Sequence, residues 1–221
     1  MKKLIALTLA LLMLTMCFVA CDNKGDDTAE TTPAGDNADT TPVVEETTPA
    51  PELAYKSAEE LLKLLMETYN ATATDETKLY VCGGNPYNPD TTNFEGPAKF
   101  VALEDADYDA NLGYPTADVS KIDDAASMFN MMNTNVFNCY AVHFANGADV
   151  DGMVNTIKDN ILARQWICGA PEKLVIVKMP GDYLVVVWGA VEFGGIVDPF
   201  AASFTTAVEG ATTVVEHTFA H

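Results

Sequence analysis

The chain is short of positive charge: its 221 residues carry 12 Lys and Arg against 32 Asp and Glu, a formal net charge of −20. That balance excludes a nucleic-acid footprint, which needs clustered cations to meet phosphates. Phosphate-cradling loops are missing as well. "CGGNP" (82–86) and "EFGGIVDP" (192–199) pair glycines, but neither GxGxxG nor GxxxxGK[ST] occurs. No CxxC pair exists. No GxSxG occurs, and Ser127 and Ser203 come with no signal for a nearby base. With no catalytic motif and no cofactor motif, the expectation is a protein that is not an enzyme and carries no cofactor.

One long apolar run is present, at the start. Lys2 and Lys3 precede an uncharged stretch from Leu4 to Ala20, short for a membrane span and followed by strongly polar sequence, which is the layout of a secretory signal. Phe18, Val19 and Ala20 lead into Cys21. The segment resembles the bacterial lipoprotein signal, with Ala20 as the small residue before the cysteine and Phe18 where Leu is usual. Cys17 follows the bulkier Met16 inside the run and reads as part of the discarded signal. The resemblance implies that Cys21 becomes the first mature residue, acylated on thiol and amino group and anchored in the lipid bilayer at the extracellular face of the cytoplasmic membrane. Each buried methylene is worth about 0.8 kcal/mol, so several chains make a lasting anchor where one would not. The alternative is a plain secreted protein cut near Ala20.

From Asp22 to Glu52 there are nine acidic residues, one lysine, seven threonines and four prolines, with almost no large apolar side chains. Such a segment cannot bury enough surface to offset its ordering entropy, so 21–52 reads as a disordered tether with a mean reach of about 30 Å. Without Lys2 and Lys3 the formal charge becomes −22. Lipid must therefore do the anchoring at an anionic membrane surface. The remaining 53–221 stretch shows no repeat and no second linker, and it is long enough for one independent core.

Within it, Ser57 and Glu60 form a capping box, and Ala58, Leu61, Leu62, Leu65 and Tyr69 recur at helical spacing, which predicts a helix over 58–70. "KLYVCGG" (78–84) reads as a short strand stopped by Gly83 and Gly84, and 85–115 as loop, a candidate substrate or partner face. "IDDAASMFNMM" (122–132) fits a helix or the first arm of a hairpin, and strand is favoured. "VFNCYAVHFA" (136–145) is a strand, and Asp149 can cap a helix with Val150, Met153, Val154, Ile157 and Ile161 on one face. "KLVIVKM" and "DYLVVVWG" form a hairpin around Pro180 and Gly181. Asp198 and Pro199 then open a helix with a Phe200, Phe204, Val208 stripe that Gly210 stops. The expected fold is α+β, an antiparallel sheet of about four strands with helices packed on one face.

From about Gly113 to Phe204 the chain resembles an uncharacterised family of lipoproteins from clostridia-like Gram-positive bacteria, through "NVFNCYAVHF", a helix ending in "ARQ" (163–165) and "PGDYLVVVWG". The resemblance implies an envelope lipoprotein with no assigned activity.

Several residues could carry chemistry, each with a plainer role beside it. Cys139 and His143 lie four apart in a strand, hence on one face, and could serve as thiol and base of an envelope hydrolase or hold a metal. The plainer role is a core cysteine beside a hydrogen-bonded histidine. Asp105, Asp107, Asp109 and Asn111 alternate as calcium ligands do, but Ala110 and Thr116 replace the Gly and Glu of a calcium loop. A solvated loop is the other reading. His217 and His221 have a zinc-like interval with no acidic partner, and as surface histidines they need none. Trp166 and Trp188 are either ligand platforms or core. Cys82, Cys139 and Cys168 allow at most one internal disulfide. The expectation is a membrane-anchored extracellular binding or structural module whose acidic surface favours a basic envelope or surface protein. A small-solute receptor of two full lobes would not fit in this length.

Overall fold

The computed structural model describes residues 52–167, 169–191 and 195–220. The signal and the tether through residue 51, Cys21 included, lie outside them, as do Cys168 and His221.

Helix α1 (Ala58–Asn70) starts where its cap dictates, with Ser57 Oγ accepting from the Glu60 N–H at 3.1 Å. The reciprocal arm of the capping box lands one residue further out, Glu60 Oε2 accepting from the Lys56 N–H at 2.8 Å. Asp124 Oδ2, from the sheet, accepts the N–H of Ala58 at 2.8 Å and fixes the helix start to a strand. Helix α2 (Val150–Leu162) is capped by Asp149, which accepts from the Gly152 N–H at 2.9 Å.

The strands are β1 (Cys82–Gly83), β2 (Ala98–Lys99), β3 (Ile122–Phe129), β4 (Phe137–Phe144), β5 (Lys173–Met179), β6 (Tyr183–Gly189) and β7 (Thr212–Thr218). They form one antiparallel sheet in the order β1-β3-β4-β6-β5-β7, with β2 also on β3. Both β4 and β5 run antiparallel to β6, so they are parallel to each other, and α2 makes the crossover of a split β-α-β unit. The β5–β6 hairpin turns through Pro180, Gly181 and Asp182, with positive φ at the last two. Residues 122–129 are strand, the reading favoured from the sequence.

Two features of the expected sheet are overturned. It has seven strands, not about four, and it is covered on both faces. On one face α1 and the C-terminal helical segment pack Leu62, Leu65, Phe200 and Phe204 against Cys139, Val185 and Val187. On the other, α2 and the residues before β3 pack Ile157, Ile161 and Tyr114 against Tyr140, Val142 and Val186. Unbroken apolar runs such as "LVVV" in β6 follow from this, because neighbours that point to opposite faces both enter a core.

Local elements also differ. Of "KLYVCGG" just Cys82 and Gly83 join the sheet, so Gly83 belongs to the strand and does not stop it. The C-terminal helix is two short pieces, α3 (Val197–Ala202) and α4 (Phe204–Ala207), broken at Ser203. Asp198 sits in the first turn of α3 and pairs with Lys173 instead of capping. The chain then continues as edge strand β7. Among the described residues no helix is long and apolar enough to cross a membrane.

Candidate functional site

Cys139 and His143 share a face of β4, but four residues of extended chain put them about 13 Å apart. Cys139 is fully buried against α1, and burial pushes its thiol well above its usual value. His143 lies at the open end of the strand, where Nδ1 meets Asp123 Oδ1 at 2.5 Å and the ring packs 4.5 Å from that of Tyr183. A thiol and base are therefore not assembled. Cys82 is a second buried free thiol.

The alternating acidic residues do not converge. Asp107 turns inward, its Oδ2 accepting from Asn85 Nδ2 and from the Leu103 N–H, each at 2.8 Å. Asp109 accepts from Asn160 at 2.8 Å, and the Asn111 side chain donates to the Asp107 carbonyl. Among the described residues no group of three His, Cys, Asp or Glu could hold a metal ion. Ser127 and Ser203 donate to the backbone carbonyls of Gly84 and Phe200. His217 is in β7, opposite Leu174, with its ring against Phe219.

The two tryptophans do come together, at a cleft of about 570 Å³. The β3–β4–β6 register aligns Phe129, Asn138 and Trp188 across one end of the sheet, all on the face that α2 covers, and these make the floor. After α2 ends, the chain runs on through Arg164 and Trp166 to form one wall, while the turn at Ala110–Leu112 forms the other. The β3–β4 turn makes the lip. Asn135 ties this lip to the wall by donating to the carbonyls of Ile167 at 2.9 Å and Gly169 at 2.7 Å. Tyr87, Met131, Met132 and Ile167 stand exposed around the rim, so the entrance is apolar.

Its interior is polar and incomplete. Asn138 Oδ1, Trp166 Nε1, Trp188 Nε1 and the neighbouring Tyr140 hydroxyl are buried with no hydrogen-bond partner among the described residues. The Asn138 Nδ2 group is satisfied, donating to the Asn111 carbonyl at 3.1 Å. Each buried polar group left alone costs about 1–3 kcal/mol, and such groups are few in folded proteins. Three of them on residues lining one cleft, Asn138, Trp166 and Trp188, mark it as a place where bonding capacity is held open.

Arg164, the chain's single arginine, is the positive charge of this site. Its guanidinium carbon lies 5.1 Å from the centre of the Trp166 ring and 5.8 Å from that of Trp188. Nη1 donates to the Asp109 carbonyl at 2.9 Å and Nη2 to that of Ala110 at 2.8 Å, which holds the opposite wall. Burial draws its pKa down, and nearby Asp109 opposes that shift.

Sequence reasoning singled out Trp166 and Trp188 and missed Asn138, Tyr140 and Arg164. A signal existed for two of them: Asn138 is an amide inside an otherwise apolar strand, and Arg164 is the sole arginine of an acidic chain. No family model matches the chain, and neither a curated protein nor a solved structure does.

Proposed function

We propose that this protein is an extracellular lipoprotein, anchored through acylated Cys21, whose folded part is a ligand-binding module with the Arg164 cleft as its site. One observation carries the binding half of the reading: three residues that line one cleft, Asn138, Trp166 and Trp188, hold buried polar atoms with no partner among the described residues, beside the chain's single arginine. A volume of about 570 Å³ lies within the ordinary range for small-molecule sites, and an apolar entrance with a few convergent polar groups is their usual chemistry. The anchoring half rests on Lys2, Lys3, the apolar run and Ala20 before Cys21. Such a module would hold its ligand within tether reach of the membrane.

Each half has its own test. In a Gram-positive host, Cys21→Ala should move the protein from the membrane fraction to the medium, and unchanged fractionation would refute the anchor. For the cleft, the two indole N–H signals of the chain report directly in a ¹H–¹⁵N spectrum. A chemically mixed panel of small solutes that leaves both signals in place would refute the binding site.

A further inference from the structure

Building on the reading of the cleft as a binding site, we infer that its ligand is a small monocarboxylate with an apolar body. The count of free hydrogen-bonding groups decides the polar end. Indole N–H groups can only donate, and among the described residues Trp166 and Trp188 each leave one unpaired, while Asn138 Oδ1 is a lone acceptor. Arg164 adds donors, since a guanidinium has five N–H groups and a fork that matches a carboxylate. Two of its nitrogens reach the carbonyls of Asp109 and Ala110, and those are neutral acceptors. No Asp or Glu makes an ion pair with it among the described residues. The site is thus rich in donors, and its cation has a carboxylate, Asp109, nearby that bonds Asn160 and makes no ion pair with it, which suits an anionic, acceptor-rich group.

The surroundings restrict the rest of the ligand. A formal charge of −20 over the whole chain repels anions at a distance, and more strongly the more charges they bear. A single carboxylate meets less of that opposition than a phosphate or a polyanion. Phe129 in the floor and the exposed Met131, Met132 and Ile167 at the rim then offer apolar contact to the remainder.

Acid and amide pairs of one shape test this on the full chain carrying Cys21→Ser: benzoate against benzamide, phenylacetate against phenylacetamide, hexanoate against hexanamide. The indole N–H signals should shift saturably with the acids, which should bind about tenfold more tightly than their amides because the charge-assisted bonds are lost. Arg164→Met should reduce the acids to the level of the amides. Because Arg164 also braces the Ala110 wall, a second pair of variants avoids the fold: Met132 is 87% exposed on the lip, so Met132→Lys should raise the ratio of acid to amide affinity and Met132→Glu lower it, the lost apolar contact being common to acid and amide. Amides, sugars or amines that shift the signals while the acids do not would overturn the carboxylate and leave the cleft standing. Silence from every compound up to about 10 mM would overturn the cleft reading with it.

Discussion

Cys139 and His143 point to the same side of β4, yet one is sealed under α1 while the other meets Asp123 at the strand's open end. A cysteine acts as a nucleophile through its thiolate, and burial here works against forming one. In native protein at neutral pH, an alkylating reagent should therefore leave Cys139 unmodified, and Cys82, also buried with a raised pKa, should be protected as well. Both should react once the chain is unfolded in urea. Peptide mass spectrometry reads this directly, and rapid native labelling of Cys139 would return the hydrolase to contention.

Asp107 offers a test by pH. Its carboxyl is held below the usual carboxylate range chiefly by the Leu103 N–H, with Asn85 and the Glu104 N–H adding to this and burial opposing it. A depressed folded pKa contributes stability that is complete above the unfolded value, near 3.9, and is lost as pH falls through the folded one. Stability measured by urea unfolding should thus decline below about pH 4. Asp107→Asn should cost about 1–3 kcal/mol at neutral pH, because an amide oxygen that keeps the Asn85 and Leu103 bonds loses their charge assistance and turns its NH2 group toward the Glu104 N–H, and should flatten that acid limb. A variant with an unchanged limb would mean that Asp107 does not link the two.

What could be read ahead of the structure depended on how local its cause is. The start of α1 is set by Ser57 and Glu60 and by the spacing of Leu61, Leu62 and Leu65, all within a few residues, and the sequence shows them together. The two-sided cover of the sheet was not read, and helices were expected on one face, although "KLVIVKM" and "DYLVVVWG" contain little polar alternation to face solvent. β7 was hidden for a different reason: Thr212, Thr213 and Val214 are exposed on an edge strand held by β5 alone, so no periodic pattern marks it. The cleft could not be read at all from spacing. Asn138 becomes part of a floor because register sets it between Phe129 and Trp188, and Arg164 matters because the Ala110 wall, more than fifty residues earlier, comes to it.

Phe200 anchors the core on the α1 face. Its ring meets those of Tyr69 and Phe137 at 5.6 Å and of Phe204 at 4.7 Å, in edge-to-face contacts. Truncation removes all three and leaves a cavity, so Phe200→Ala should cost about 3–5 kcal/mol. Phe94→Ala should change stability little, because that ring is 69% exposed. Equal losses in urea unfolding would show that the C-terminal segment does not pack as described.

Gly83 tests how the near edge of the sheet is built. A Cβ there would meet the Ala98 nitrogen at 2.3 Å, the Gly96 carbonyl oxygen at 2.5 Å and the Ser127 carbonyl oxygen at 2.6 Å, all backbone. The glycine is needed for this approach of three chain segments. Gly83→Ala should cost about 3 kcal/mol or release β1 and β2 from β3. Gly147→Ala, where nothing lies within 4 Å although φ is +86°, should cost about 1–2 kcal/mol from backbone strain alone. Hydrogen exchange distinguishes the outcomes for Gly83, since its N–H bonds the Asn93 carbonyl at 2.8 Å and the Asn93 N–H returns the bond at 2.9 Å. Loss of protection at both amides, with β4 and β6 still protected, is the expected result. The effect should reach the cleft, because Ser127 in its lining bonds the Gly84 carbonyl at 2.7 Å and Tyr87 of its rim comes just after, beyond Asn85 and Pro86. A Gly83→Ala protein with normal stability and unchanged exchange would mean that β1 does not lie against β2 and β3 as the backbone distances require.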